Sequence, residues 1–195
     1  MHAAGFVLVG GSSKRMGRDK ALLRVGSASL VEHVALEVRA AAGSVALVGA
    51  PERYSALGFD CLPDLRTGFG PLAGIEAALG SRRGEWNLIV ACDMPRLDSA
   101  LLKQLLRDAE EHEAMCTVTR DAGGAIHPLC AVYRTSCAPV VWKALDTGRL
   151  RLMDVIRELA ASIFEAEIIL PNVNTPSEWE ECQTTHTRIT SNSGT

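Results

Sequence analysis

Short apolar runs alternate with stretches of helical periodicity along the first half of the chain. Apolar residues dominate residues 4–9, 45–48, 59–62 and 87–92, and each run predicts a short buried strand. Residues 29–42, 71–79 and 98–112 predict helices, with Gly43 ending the first, Pro71 opening the second and Asp98 capping the third. Strands that alternate with helices in this way are parallel and joined by helical crossovers. The pattern predicts an α/β fold, a three-layer α/β/α sandwich with a mostly parallel, Rossmann-like sheet.

The second half of the chain has a mixed pattern. Residues 115–119 and 128–133 predict strands joined by a turn at residues 121–124, and residues 162–170 contain another strand. Residues 136–146 and 153–160 predict helices, and a last helix is expected near Pro176, where Thr175 and Glu178 have the spacing of a capping box. We expect residues 1–182 to form a single domain with a mixed C-terminal half. Residues 183–195 are mostly polar and predict a disordered tail.

The composition argues against several classes of protein. The 195 residues are 47% hydrophobic, which suffices for one domain with a sizeable core. The 20 Lys and Arg against 23 Asp and Glu, with only 5% aromatic residues, disfavour a nucleic-acid binder. No apolar run approaches the roughly 20 residues of a membrane-spanning helix, so a membrane is not an expected partner. Nucleic acid is not an expected partner either, because of the charge balance and the few aromatic residues. Six cysteines without a C-x-x-C pair indicate a reduced, cytoplasmic protein rather than a zinc site or disulfides.

The first predicted strand leads into the richest candidate for a binding site. Residues 8–20 read Leu-Val-Gly-Gly-Ser-Ser-Lys-Arg-Met-Gly-Arg-Asp-Lys. Residues 10–20 hold four basic residues and one acidic residue, a local charge of +3 that leaves −6 for the rest of the chain. Glycines let backbone N–H groups approach phosphate oxygens closely, although the spacing matches neither the Rossmann dinucleotide motif nor the P-loop. The segment is therefore either a polyphosphate-binding loop or a solvated glycine turn with surface cations.

A carboxylate stands at the end of the strand predicted over residues 87–92. Asp93 follows that strand directly, and ligands of open parallel sheets bind at the carboxyl ends of the strands. Magnesium typically binds one or two carboxylates together with substrate phosphates. Because Asp98 already caps the next helix, capping does not account for Asp93. We expect Asp93 to bind Mg²⁺; the alternative is that it only accepts hydrogen bonds from loop amides.

Five motifs, in order along the chain, carry a family resemblance. They are LVGGSSKRMGRDKALL at residues 8–23, PDLRTGFGPLAGI at 63–75, CDMPRL at 92–97, HPLCAVYR at 127–134 and NVNTPSEW at 172–179. Together they resemble the molybdenum cofactor guanylyltransferases, and the resemblance covers about residues 4–182. It implies transfer of GMP from GTP to the terminal phosphate of molybdopterin or its molybdenum form, with release of pyrophosphate and with Mg²⁺ as cofactor. Cofactor-biosynthesis proteins and recipient molybdoenzymes are the partners it suggests.

The resemblance also implies roles for individual residues. The set that resembles the family's nucleotide site is Leu8, Val9, Gly10, Gly11, Lys20, Asp64, Gly70 and Asp93, with Pro71 and Gly74 flanking it. Arg15 and Lys20 are similar to the cations that neutralise the triphosphate, and Asp93 is similar to the carboxylate that binds nucleotide and Mg²⁺. On the side that receives the pterin, the implied residues are Arg151, Asn172 and Asn174.

Simpler interpretations stay open for several of these residues. Asp64 has the position of a turn-initiating residue, and the two asparagines have that of loop amides bonded to their own backbone. Arg151 is equally well explained as a solvated helix start. His127, before Pro128 and a strand, is interpreted as structural rather than catalytic.

One position departs from the family pattern and bears on base selectivity. In some members the second strand ends in an Asn that contacts the nucleotide, whereas Gly49 stands here and offers no side chain. The alternatives within the same chemistry are a cytidylyltransferase for the same pterin, which usually has Ala in place of Gly10, and a sugar-phosphate nucleotidyltransferase. A different class, a non-catalytic nucleotide-binding module that delivers the cofactor, is disfavoured by the presence of both Lys20 and Asp93.

Overall fold

A seven-stranded sheet forms the centre of the molecule. The computed structural model describes residues 1–10, 19–25, 28–173 and 178, and the fold is given for these. The sheet consists of β1 (Ala3–Val9), β4 (Val45–Gly49), β5 (Asp60–Pro63), β6 (Trp86–Ala91), β7 (Cys116–Arg120), β8 (Ile126–Arg134) and β9 (Ser162–Glu165). Two further strands, β2 (Arg24–Val25) and β3 (Ala28–Ser29), pair with each other in a small antiparallel ribbon.

The strand order places β1 near the middle of the sheet. The order is β5-β4-β1-β6-β8-β7-β9, and all strands run in one direction except β8, which is antiparallel to β6 and β7. From β1 the chain builds outward through β4 and β5 and then returns to place β6 on the other side of β1. The order therefore switches between β1 and β6, and ligands of open α/β sheets bind outside the carboxyl ends of the strands at such a point. The predicted α/β class with a mixed second half is confirmed.

Helices cover both faces of the sheet. They are α1 (Leu30–Ala42), α2 (Pro51–Tyr54), α3 (Pro71–Gly80), α4 (Ser99–Glu111), α5 (Ala138–Asp146) and α6 (Leu152–Glu158). Alternate residues of β1 face opposite layers. Val7 packs in the core with α1 and α4, whereas Phe6 packs in the core with α3, α5 and α6. The three-layer sandwich predicted from the sequence is confirmed.

The predicted helix ends follow local capping chemistry. Ser29 and Glu32 form a capping box at the start of α1, and Gly43 ends that helix in the left-handed conformation. Asp98 caps α4 by accepting a hydrogen bond of 2.8 Å from the Leu101 amide. Pro71 occupies the first turn of α3, where its missing N–H leaves no hydrogen bond unmade. These local signals explain why the predicted helix bounds agree with the structure to within a few residues.

Some elements lie outside what the pattern predicted. The sequence analysis missed α2, the 3-10 helix Ser55–Leu57 that continues it, the 3-10 helix Lys20–Leu22 and the β2–β3 ribbon. Each is four residues or shorter, and so short a segment has no measurable hydrophobic period. The predicted last helix, apart from Glu178, and the tail at residues 183–195 lie outside the described residues. None of the helices in the described part of the chain is long and apolar enough to cross a membrane.

Gly49 lets β4 approach β1 closely at the carboxyl ends of the two strands. Its φ of +148° is a conformation that side chains disfavour, and a Cβ added there would lie 1.6 Å from the Val9 carbonyl oxygen. The glycine found in place of the family's asparagine is therefore a requirement of this backbone.

We expect Gly49→Ala to reduce the free energy of unfolding by about 2–4 kcal/mol, because the backbone must move away from Val9. The matched control is Gly58→Ala: Gly58 also has a positive φ, +75°, but a Cβ there meets nothing within 4 Å, so a loss of about 1 kcal/mol is expected. Urea denaturation of the two variants checks this. Equal losses would contradict the close-approach argument.

Candidate active site

A pocket of about 500 Å³ lies at the carboxyl ends of β1, β4 and β6. It is lined by all of the described residues that the resemblance assigns to a nucleotide: Leu8, Val9, Gly10, Lys20, Asp64, Gly70 and Asp93. Pro71 and Gly74, the flanking residues, line it as well. Residues scattered over more than 80 positions of sequence thus meet in one cavity, at the switch point of the sheet.

Lys20 and Asp93 are in direct contact inside this pocket. The Lys20 ammonium donates a hydrogen bond of 2.6 Å to Asp93 Oδ2, across 73 residues of sequence. The contact is possible because β1 and β6 are neighbouring parallel strands, and each residue follows one of them. An ammonium beside a carboxylate offers a cation for an anionic ligand and a carboxylate for a metal ion.

The second oxygen of Asp93 is suited to bind a metal ion. Asp93 Oδ1 is buried and has no hydrogen-bond partner among the described residues. A buried acceptor without a partner is unfavourable, so this oxygen favours a ligand. The described residues contain no cluster of three or more His, Cys, Asp or Glu that could hold an ion alone. A hard cation there would take its remaining ligands from water and from phosphate oxygens, the usual coordination of Mg²⁺.

A cluster around Asp19 fixes the backbone next to Lys20. Asp19 accepts hydrogen bonds from Arg53, from the Tyr54 hydroxyl at 2.8 Å and from the Ala21 amide at 3.2 Å. Burial, with Asp19 as its neighbour, raises the pKa of Tyr54 well above its ordinary value, so the hydroxyl stays a donor. The sequence analysis missed this cluster, because α2 was not predicted.

The loop that carries Asp93 is supported from α1. The His33 ring contacts the Pro95 carbonyl oxygen at 3.2 Å, and Glu37 accepts a hydrogen bond of 2.6 Å from the Ser99 amide. The helical period of α1 predicts whether a position faces the core or the solvent, but it does not predict a contact with a loop. Sequence reasoning therefore had no signal for them.

The other wall of the pocket comes from the segment between β5 and α3. Partial loss of solvent raises the pKa of Asp64 above its ordinary value. Arg66 ties the segment to the body by contacting Glu76 of α3 at 3.1 Å and Asp146 of α5 at 2.7 Å. Gly70, with a φ of +64°, turns the chain into α3. Leu129 of β8 also lines the pocket and was not singled out from the sequence.

Among the residues predicted for the pterin, the two that the structure describes, Asn172 and Arg151, are not part of the pocket lining. The Val173 amide donates a hydrogen bond of 2.8 Å to the Asp93 carbonyl oxygen, so Asn172 lies next in sequence to a direct contact with the Asp93 loop. Arg151 is exposed just before α6 and does not line the pocket. Gly11, Arg15 and Asn174 lie outside the described residues.

His127 belongs to a buried structural cluster. Its Nε2 contacts Asp121 Oδ2 at 3.0 Å, and both side chains are less than 10% exposed. Although burial raises the pKa of Asp121, hydrogen bonds from His127, Leu170 and Ala125 bring it down to about 2. This arrangement agrees with the interpretation of His127 as structural rather than catalytic.

Comparison with known proteins identifies relatives of this chain. A family model described as a MobA-like NTP transferase domain matches residues 5–163. A protein from Carboxydothermus hydrogenoformans, named a probable molybdenum cofactor guanylyltransferase, is 34% identical over 184 residues, which cover 90% of this chain and 92% of the relative.

Solved structures show the same fold at lower identity. Molybdopterin-guanine dinucleotide biosynthesis protein A from Archaeoglobus fulgidus is 23% identical with a TM-score of 0.81, covering 95% of this chain and 99% of its own. A Mycobacterium tuberculosis protein crystallised with manganese is 17% identical with a TM-score of 0.64, covering 94% and 98%.

The lowered pKa of Asp121 predicts how the stability of the protein changes in acid. The folded pKa of about 2 lies below the ordinary value of about 4, so the carboxylate contributes stability above pH 4 that is lost as the pH falls toward 2. We expect Asp121→Asn to lower stability at neutral pH and to flatten the loss of stability between about pH 4 and 2. Denaturant titrations across this range test it, with Asp154→Asn at the exposed start of α6 as the control. An unchanged acid profile for Asp121→Asn would contradict the assignment.

Proposed function

The chain belongs to the MobA-like NTP transferase family, and from that premise we propose that it transfers GMP from GTP to the terminal phosphate of the molybdopterin cofactor. The observation that carries the proposal is the contact between Lys20 and Asp93 inside a pocket that is also lined by Leu8, Val9 and Gly10. The names of the relatives indicate the guanine nucleotide and the pterin. A pocket of about 500 Å³ is in the size range of sites for ligands as large as a nucleotide.

The proposed reaction exchanges one phosphoanhydride bond for another. A phosphate oxygen of the pterin attacks the α-phosphorus of GTP, and the bond from that phosphorus to the bridging oxygen of the β-phosphate breaks. Pyrophosphate leaves with the electron pair, and the guanine dinucleotide remains. Because the attacking oxygen is already anionic at neutral pH, the chain needs no strong general base. The barrier arises from bringing two anions together, so positioning and charge stabilisation provide the catalysis.

The pocket residues divide these tasks. Leu8, Val9 and Gly10 present backbone and apolar surface to the nucleotide, with Asp64 and Gly70 on the facing wall. The ammonium of Lys20 leaves Asp93 for the triphosphate and offsets the charge that develops on pyrophosphate. Arg15 and Gly11, which also belong to the proposed site, lie outside the described residues.

Asp93 is the proposed holder of a divalent cation, which we take to be Mg²⁺. Its buried Oδ1 lacks a partner among the described residues, which fits a metal ligand. When bound, Mg²⁺ supplies charge neutralisation to the phosphate oxygens. The manganese complex of a structural relative supports a divalent ion in this fold.

The acceptor side is proposed to include Asn172, Asn174 and Arg151. The hydrogen bond from Val173 to the Asp93 carbonyl oxygen supports the first of these, because it joins this segment to the loop that carries the metal-binding carboxylate. We also propose that residues 1–182 act as one domain in the cytoplasm. The product would pass to cofactor-biosynthesis proteins or recipient molybdoenzymes.

Asp93→Asn tests the metal-binding carboxylate directly. The change keeps the size of the side chain but removes the charge, and we expect the turnover number for pyrophosphate release to fall by about 10²–10³-fold or more. Asp154→Asn, which removes an exposed carboxylate, is expected to leave turnover unchanged. Thermal unfolding of both variants shows whether the fold is retained. Full Mg²⁺-dependent activity in a folded Asp93→Asn protein would refute the assignment.

Nucleotide competition tests the base. With molybdopterin as acceptor, we expect GTP to be used at least about tenfold more efficiently than CTP, measured as pyrophosphate release and dinucleotide formed. A preference for CTP would assign the chain to cytidylyl transfer. Binding of GTP with no pyrophosphate release for any acceptor would favour a delivery module instead.

A further inference from the structure

An irregular segment after β9 connects the far edge of the sheet to the pocket. Three backbone hydrogen bonds hold residues 166–173 in place. The Ala166 amide donates to the Arg120 carbonyl at 2.8 Å, the Ala122 amide donates to the Ile168 carbonyl at 3.0 Å, and the Val173 amide donates to the Asp93 carbonyl at 2.8 Å. The segment thus runs from the β7–β8 turn to the loop that carries the pocket carboxylate.

One buried side chain is bonded to this segment at its middle. Asp121 Oδ2 accepts a hydrogen bond of 3.1 Å from the Leu170 amide, and the same oxygen contacts His127 Nε2 at 3.0 Å. Asp121 Oδ1 accepts hydrogen bonds from the Gly123 and Ala125 amides at 3.0 and 2.9 Å. Four donors therefore fix both oxygens of a carboxylate that is 5% exposed.

The bond to Leu170 places Asn172 between two anchors. Leu170 and Val173 are 2% and 0% exposed, whereas Asn172 between them is exposed to solvent. The backbone amide of each buried neighbour donates a hydrogen bond: that of Leu170 to the Asp121 side chain, and that of Val173 to the Asp93 carbonyl oxygen. Asn172 is consequently presented from a short span that is tied down on both sides.

We propose that His127 and Asp121 are positioning residues for the acceptor side of the site, an inference that rests on the proposed function of Asn172. The His127 ring fixes the rotation of the Asp121 carboxylate, and the carboxylate fixes the Leu170 amide. The span that carries Asn172 is thereby held beside the Asp93 loop. Neither residue touches the reacting atoms.

The hairpin does not need the histidine for its own closure. The turn is closed by backbone hydrogen bonds from the Asp121 amide to Ala125 at 2.9 Å and from the Gly124 amide to Asp121 at 2.8 Å. The strand β9 is paired with β7 through four residues, from Thr117 with Ser162 to Arg120 with Glu165. Asp121 Oδ1 adds hydrogen bonds to the turn amides of Gly123 and Ala125, whereas Oδ2, the oxygen that contacts His127, accepts its other hydrogen bond from Leu170. The histidine therefore supports the bond to the segment rather than the closure of the turn.

The test compares the two substrates in His127→Leu, His127→Gln and Asp121→Asn. Leucine removes the donor, glutamine keeps one, and asparagine leaves a single oxygen where two are needed. For His127→Leu and Asp121→Asn we expect KM for molybdopterin to rise about tenfold with the dissociation constant for GTP unchanged. His127→Gln is expected to recover most of the loss. The control is Arg120→Ala on the same hairpin, which removes an exposed ion pair with Glu165 of β9 and is expected to leave both constants unchanged.

Amide hydrogen exchange at Leu170 and Val173 gives a readout independent of turnover. Exchange at both amides is expected to accelerate in His127→Leu and Asp121→Asn but not in Arg120→Ala. Faster exchange with an unchanged KM for molybdopterin would overturn the positioning role, and unchanged exchange would overturn the anchoring itself. If the unmodified protein bound no GTP, the proposed function would fail separately. If His127→Leu does not fold, the comparison of His127→Gln with Asp121→Asn decides the question.

Discussion

The ion pair between Lys20 and Asp93 is the contact on which the organisation of the site depends. A carboxylate largely removed from water is stable only when its charge is compensated, and the ammonium at 2.6 Å provides that compensation on one oxygen. The other oxygen keeps no partner among the described residues. The pair therefore combines a satisfied charge with an unused coordination position. This combination depends on β1 and β6 being adjacent and parallel.

The surrounding structure supports this pair from both sides. Asp19, held by Arg53 and Tyr54, fixes the backbone beside the lysine, while His33 and Val173 contact the loop that carries the aspartate. At the same edge of the sheet, Gly49 of β4 lies so close to the Val9 carbonyl oxygen that a Cβ would not fit. Most of these contacts are made by residues without any chemical role of their own. The positions of Lys20 and Asp93 in the pocket thus depend on contacts from elements that lie far apart in the sequence.

The sequence predicted the fold better than the details of the site. Buried strands such as β6 and capped helices such as α4 were recognised because their signals are local: an apolar run, or an Asp before a helical pattern. Lys20 and Asp93 were also expected to lie in one site, because the family resemblance assigns both of them to the nucleotide. The Asp19 cluster, His33 and Leu129 were missed because their roles come from tertiary contacts, which no periodicity encodes. Arg151 followed from resemblance alone, and the structure leaves it at the exposed start of α6.

The anchoring of Asp93 by distant parts of the chain has a consequence for biosynthesis on the ribosome. The carboxylate loop needs α1, the segment around Lys20 and residue 173 before its surroundings are complete. A nascent polypeptide that has emerged only through α4 contains Asp93 but not Val173, the last of the residues that contact its loop. We therefore expect affinity for the proposed nucleotide to develop late in synthesis, after the chain has emerged as far as residue 173. Bound ligand would then stabilise the entire native state rather than one local region.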